Sequence, residues 1–304
     1  MSMPIEVPES PAHTSSTRVQ ASQRSRQGTL AAFWRQPLGR AGIIVLLFLL
    51  VFCFGGPLVY RHSPDAMHLT ALLQAPSAAF PLGTNNLGRN MLVRLMVGGQ
   101  TSLEVGFSAA LASMVIGVVY GAVSGFVGGW VDATMMRVVD VLRAIPGLFL
   151  LVFLDSVVRP SAGLLVLLIA FISWHGVSRL VRGEILALKN TVYAEAARTI
   201  GATNRQILFK HLLPNALGTI VVATTFMVGD AVLAIAGLSF LGMGLPPPAP
   251  NWGAMLSDAM PYLSQNSWWL IYPPGVAVLL TVLGINFVGD ALRTAFDARL
   301  SVPR

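Results

Sequence analysis

Seven ionisable side chains fall within or at the ends of long apolar runs: Glu104, Asp140, Arg143, Asp155, Arg179, Asp230 and Asp290. Charges at membrane depth are expensive and mark pathways, relays or paired packing groups. Several of these lie within a turn of a run's end, where a long side chain reaches the interface. Asp230 is the deepest. It lines a translocation pathway on one reading and hydrogen-bonds a second subunit on the other. One acid without an intramembrane partner makes a poor proton relay, which tilts the balance to the second reading. His175, beside Trp174, is the one histidine near this depth, and a lone imidazole there is more often packed than ligating. Ser239 stands in Gly237-Leu238-Ser239-Phe240 and lacks the glycine that follows an intramembrane protease serine. No G-x-x-x-x-G-K-[ST] cradles a phosphate, and no H-E-x-x-H or cysteine pair offers a metal site. Cys53 is the single cysteine. The expectation is therefore no catalytic residue, no metal and no cofactor of the chain's own. Active transport would draw its energy from a partner chain or an ion gradient.

The composition sets the solvent for these residues. The 304 residues are 54% hydrophobic and 11% charged, against roughly 25% charged in soluble domains. Apolar runs of spanning length begin near Ala41, Thr101, Arg137, Ser161, Pro214 and Leu270. They end near Tyr60, Phe126, Val158, Leu180, Leu238 and Ala291. This predicts an all-α integral membrane fold with six transmembrane helices. Residues 1–40 read as a disordered tail, 41–60 as the first span and 61–100 as a polar connection. Residues 101–292 form a five-helix core with a loop over 183–213, and 293–304 a second tail. With six spans both termini share a side. That side carries sixteen of the twenty Lys and Arg, leaving Arg61, Arg89, Arg94 and Arg159 opposite. The positive-inside rule then places the termini in the cytoplasm and accounts for the +7 charge without nucleic acid. Trp268, Trp269 and Tyr272 suit an outer aromatic belt.

Two stretches stand out. Ala109, Ser113, Gly117, Gly121, Gly125 and Gly129 recur every fourth residue, a ridge of small side chains that lets another helix approach closely. Such a ridge packs within one chain or between subunits, the first being the commoner outcome. The second stretch, Thr191 to Pro214, is a polar, basic interruption between apolar runs. It predicts a short helix over Val192 to Ile200, capped at Asn190 or Thr191 and stopped by Gly201.

Glu195-Ala196-Ala197, Gly201 and Leu213-Pro214 resemble the EAA loop of binding-protein-dependent ABC importer permeases, E-A-A-x3-G-x9-I-x-L-P. His211 stands at the pattern's Ile, with Leu212 beside it. Phe80 to Asn85 with Gly88-Arg89-Asn90 resembles the H-P-L-G-T-D-x-x-G-R-D block of the dipeptide, oligopeptide and nickel importer group, C-type subunit. Asn85 and Asn90 replace its two acids. Leu238 to Gly244 with Pro248 to Gly253, and Asn286 to Arg293, resemble two further blocks of that group.

The resemblance implies a type I importer permease fold in a bacterial inner membrane. It implies half of a channel, completed by a homologous second permease. Two cytoplasmic ATPase subunits would bind and hydrolyse ATP, and an extracytoplasmic solute-binding protein would deliver cargo. Glu195, Ala196, Ala197, Arg198, Gly201, Leu213 and Pro214 would form the coupling segment. Glu195 would offer a carboxylate to the ATPase unless Arg198 claims it, and both alanines would permit close approach. Di- or oligopeptides are the expected cargo, with nickel or glutathione as alternatives. A stand-alone secondary transporter would need an internal inverted repeat, broken helices near the midplane or a chain of intramembrane acids, and none of these stands out in the sequence.

Overall fold

The computed structural model describes residues 29–157 and 161–300. Residues 1–28 of the tail expected over 1–40, residues 158–160, the side chain of Asp155 and residues 301–304 lie outside the described residues. Thr29–Trp34 and residues 37–40 are helical where the sequence predicts disorder. The described chain is helical, with no strand among the described residues.

The helices are α1 (Thr29–Trp34), α2 (Pro37–Val59), α3 (Met91–Val127), α4 (Gly129–Ala144) and α5 (Gly147–Val157), followed by α6 (Ala162–Lys189), α7 (Val192–Thr199), α8 (Asn204–Phe240), α9 (Trp252–Ala259) and α10 (Trp268–Leu300). Among the described residues five are long and apolar enough to cross a membrane: α2, α3, α6, α8 and α10. The sequence predicts six spans. The difference lies in the third run, which Pro146 divides. Ile145 is extended, as a residue before proline tends to be (φ −90°, ψ 124°). The two pieces, α4 and α5, together run back along α6, with Asp140 paired to Arg179 and Leu151 packed near Leu165 and Ile169.

Helices also outrun the apolar segments. α3 begins at Met91, where the Asn90 side chain accepts from the Leu92 and Val93 amides at 3.0 and 3.5 Å. α8 begins at Asn204, ahead of the apolar run. Hydropathy marks the part of a helix suited to lipid; caps mark its ends.

α3 and α6 form the centre and lie parallel. Ser113, Gly117, Gly121 and Gly125 face Ala170, Trp174, Ser178 and Arg182, a step of four on one helix meeting a step of four on the other. Ser113 Oγ donates to the Ala170 carbonyl at 3.4 Å. A Cβ on Gly117 would lie 2.7 Å from the Trp174 carbonyl oxygen, and one on Gly125 2.8 Å from that of Arg182. At Gly121 the Ser178 carbonyl is closer still. The ridge thus meets backbone rather than side chains that could move aside.

At one end of the bundle Phe33 of α1 packs on Ala291 and Ala295 of α10. Phe296 lies against Gly218 near the start of the apolar part of α8. Lys189 Nζ donates to the carbonyls of Gly125 and Phe126 at 3.1 and 3.3 Å, satisfying groups at the end of α3. Arg182 grips Asp132 with Nε at 2.5 Å and Nη2 at 2.6 Å, and the Ser124 hydroxyl donates to the same carboxylate.

The connections between α2 and α3 and between α8 and α10 close the other end. Trp269 Nε1 donates to the Thr84 carbonyl at 3.2 Å. Trp252 is wholly buried, its indole donating to the Leu95 carbonyl at 3.0 Å and its ring filling the space beside Gly99. Pro57 has no N–H to offer the Cys53 carbonyl one turn back, and Gln100 Nε2 donates to it instead at 2.8 Å.

Gly121→Leu is expected to lower stability by about 3 kcal/mol, because a side chain there must push two backbones apart. Thermal unfolding of the detergent-solubilised assembly reads this, and an unchanged midpoint would refute the close contact. The Arg182 guanidinium, helped by the Ser124 hydroxyl and opposed by burial, holds the Asp132 carboxyl below the usual carboxylate range. A lowered folded value contributes stability above the ordinary carboxylate pKa, lost as pH falls through the lowered one. Asp132→Asn should therefore destabilise by about 2 kcal/mol at pH 7. Unfolding midpoints compared across pH should show that gap closing below about pH 4.

Candidate functional site

α7 sits on the side of the bundle where α1 and the end of α10 meet. Thr191 occupies its N-cap position with extended backbone (φ −83°, ψ 152°), yet its hydroxyl donates back to the Leu188 carbonyl at 2.6 Å. The helix closes with paired bonds from Gly201 N to Arg198 O and from Ala202 N to Ala197 O, both 3.0 Å. This pairing needs a left-handed residue just past the helix, and Gly201 has φ +84°. Nothing lies within 4 Å of where its Cβ would be, so conformation and not space demands glycine there. Thr203 and Gln206 then form a reciprocal capping box, with Thr203 N donating to Gln206 Oε1 at 2.8 Å. A π-helical turn over Ile207–Leu212 leads into the rest of α8 and takes up Pro214, which has no N–H. The expected loop over 183–213 is thus almost wholly helical. Only Asn190 with Thr191, and Ile200 to Thr203, separate its helices.

The two faces of α7 differ. Ala194 and Ala197 are buried, in one apolar cluster with Val177, Val181 and Ile185 of α6 and Ile207, Leu212 and Ala216 of α8. Ala122 of α3 joins the same cluster. Leu213 packs against it, Leu212 is fully buried, and His211 is half-buried. Glu195, Ala196 and Arg198 face outward, and Pro214 is exposed. Ala197 is therefore occupied inside the chain, and only Ala196 of the two is open to close approach. No ion pair joins Glu195 to Arg198 among the described residues, so both remain available. The structure adds Val192 and Ile200, 83% and 86% exposed at either end of this outer face. Val192, Ala196 and Ile200 are four apart in the sequence and so share one helix face, though that spacing alone does not say whether the face meets this chain or another.

Asp230 lies elsewhere, in a cleft of about 310 Å³ between α6 and α8. Ser173, Gly176, Val177 and Leu180 line one wall, and Ala223, Phe226, Met227 and Asp230 the other. The Asp230 carboxylate is exposed and makes no hydrogen bond or ion pair among the described residues. Of the other charges of the apolar runs Arg179 pairs with Asp140, and just outside those runs Arg182 pairs with Asp132. His175 Nδ1 is buried without a hydrogen-bond partner. No group of three or more His, Cys, Asp and Glu that could hold a metal occurs among the described residues.

The outer block gives Asn85 and Asn90 definite places. Asn85 Oδ1 accepts from the Leu87 and Arg89 amides at 3.0 and 2.9 Å, closing a turn that Gly88 completes with φ +69°. Asn90 caps α3 and donates from Nδ2 to Tyr60 Oη at 2.9 Å. A carboxylate would serve as acceptor at either position, but only the amide can donate to Tyr60 as well.

Against known proteins, residues 117–302 match the family model of the binding-protein-dependent transport system inner membrane component. Residues 26–76 match that of the N-terminal TM domain of oligopeptide transport permease C. The chain is 37% identical over 268 residues to the oligopeptide transport system permease protein OppC of Bacillus subtilis, covering 88% of each chain. It is 38% identical over 271 residues to the dipeptide transport system permease protein DppC of the same organism, covering 88% of this chain and 85% of that one. Against the glutathione transport system permease protein GsiD of Pectobacterium atrosepticum it is 37% identical over 273 residues, covering 88% and 90%. The fold is similar to a chain of the MetNI methionine ABC transporter in an inward-facing form, with TM-score 0.57 and 24% identity, covering 70% of this chain and 98% of that one. A helical bundle whose polar hairpin keeps the EAA spacing, matched over most of its length by such relatives, belongs to the inner membrane components of binding-protein-dependent transport systems.

Proposed function

We propose that this chain is one permease half of an ATP-driven importer of di- or oligopeptides, with α7 as the element that receives force from an ATPase. The observation that carries this reading is the inner face of α7, which shares one apolar cluster with α3, α6 and α8. A push on α7 is then a push on the bundle, and packed cores transmit displacement instead of absorbing it. The outer face offers two chemistries to a partner groove. Val192, Ala196 and Ile200 supply apolar contact, and Glu195 and Arg198 supply unpaired charges. The chain transports and does not catalyse, so ATP belongs to two cytoplasmic ATPase subunits. A homologous second permease completes the pathway, and an extracytoplasmic solute-binding protein supplies the cargo.

The membrane arrangement follows from the same reading. α4 from Arg137 onward and α5 together make the broken third of six spans, and both termini lie in the cytoplasm with α7. The meeting of Phe33, the end of α10 and the start of α8 at one end supports this, as does the charge bias. The Pro64 and Trp252 connections then face outward from a bacterial inner membrane, and Asp230 lines the pathway. GsiD among the relatives favours glutathione as a second cargo.

The tagged chain, purified from its own membrane, should bring a second permease and two ATPases with it. Recovery as a single chain would overturn the importer reading. The double change Val192→Glu and Ile200→Glu should reduce ATP-driven uptake at least tenfold by placing two charges in an apolar contact. Insertion and pairing with the second permease should stay intact. Glu195→Lys and Gly201→Val are each expected to abolish uptake, the latter because a β-branched residue is strained at φ +84°. Normal uptake in proteoliposomes with these variants would remove α7 from the coupling path.

A further inference from the structure

We propose that the cleft between α6 and α8 is a transient binding site for the α-ammonium group of a peptide in transit, with Asp230 as its counter-charge. This rests on the peptide-importer reading. Asp230 lies eight residues before the end of the apolar run at Leu238, roughly 12 Å along the helix, well inside a hydrocarbon layer about 30 Å thick. A carboxylate at that depth cannot face lipid without a large penalty, so it faces water or a positive group. The chain supplies neither ion pair nor hydrogen bond to it among the described residues, although Asp132 and Asp140 on neighbouring α4 each hold an arginine of α6. A positive group for it therefore comes from outside the described residues.

The cleft's shape and lining point to cargo as that source. Its volume of about 310 Å³ lies at the lower end of the range of small-molecule sites, about 300–1,000 Å³. Its wall is recessed at Gly176, where nothing lies within 4 Å of a Cβ position. Asp230 is the one titratable residue in the lining, with the Ser173 hydroxyl as a second polar group. The remaining lining includes Phe226, whose ring face attracts a cation, and Met227, whose flexible thioether adapts to varied side chains. Peptides differ in their side chains and share an amino-terminal ammonium. One fixed carboxylate among adaptable apolar groups reads the shared feature and tolerates the variable one.

The test uses the whole assembly in proteoliposomes: this chain, the second permease, both ATPases and the binding protein loaded with alanyl-alanine. Asp230→Asn should lower maximal uptake about tenfold, the loss of one charge-assisted bond. Asp230→Glu should retain most of it. The wild-type to Asp230→Asn ratio should fall towards one at pH 9, where an amino terminus of pKa about 8 has lost its proton. Equal uptake by wild type and Asp230→Asn at pH 7, in an assembly that imports the dipeptide, overturns the site alone. So does a ratio that does not change between pH 7 and 9. Loss of the second permease from purified Asp230→Asn identifies the carboxylate as an intersubunit group and overturns the site too. A wild-type assembly that imports no peptide overturns the peptide reading, and this site with it.

Discussion

The structure depends on two parallel helices that meet backbone to backbone. Ser113, Gly117, Gly121 and Gly125 on α3 keep a constant register with Ala170, Trp174, Ser178 and Arg182 on α6. In lipid no hydrophobic effect drives helices together, so van der Waals contact and weak polar contacts between backbones must do so. Parallel neighbours cannot be joined by a short turn. The chain must return outside the pair, and the broken passage of α4 and α5 makes that return. Val139 and Leu151 are buried along it, and Asp132 with Arg182 and Asp140 with Arg179 tie it to α6. The same register fixes the end of α6, where Lys189 binds the last carbonyls of α3.

That fixed end is what makes a polar hairpin useful. α7 hangs between the end of α6 and the start of α8, joined to each by a few residues whose geometry is determined. Thr191 is extended, Gly201 is left-handed, and the Thr203–Gln206 box starts the next helix. Ala194 and Ala197 complete the attachment by burying the inner face. A loop with freely rotating bonds would dissipate a displacement. Here the pieces move together or the cluster must open.

Some of this was legible in the residues and some was not. The small ridge is legible because a period of four is written in residue type, and Gly201 because a left-handed closure requires glycine at a fixed offset. The division of the third run was hidden, since membrane helices tolerate proline and Pro146 reads equally as a kink or a break. The inward turn of Ala197 and the outward one of Val192 and Ile200 were also hidden. On a helix of eight residues the apolar face does not say which side meets its own chain and which meets another. Asn85 and Asn90 were obscure for a different reason. Where the resembled block carries an acid, charge suggests itself first, but the structure uses these side chains as acceptors for backbone amides, a role an amide oxygen fills as a carboxylate would.

The hairpin and the Asp230 cleft share their helices. On α6, Trp174 and Ser178 face α3, while Ser173, Gly176 and Leu180 face the cleft. On α8, Ile207 and Leu212 grip α7, while Ala223, Phe226, Met227 and Asp230 recur at helical spacing on the cleft wall. Both walls of the cleft are thus continuous with the two helices that carry α7. A tilt of α6 against α8 at the hairpin changes the spacing of those walls with no further moving part. Asp230 sits on the wall whose position such a tilt would set, so under the proposed coupling role of α7 the exposure of its charge would follow the state of the hairpin. Under that proposal two helices would link the carboxylate to a partner's groove. Such a link needs no chain of contacts beyond the helices themselves.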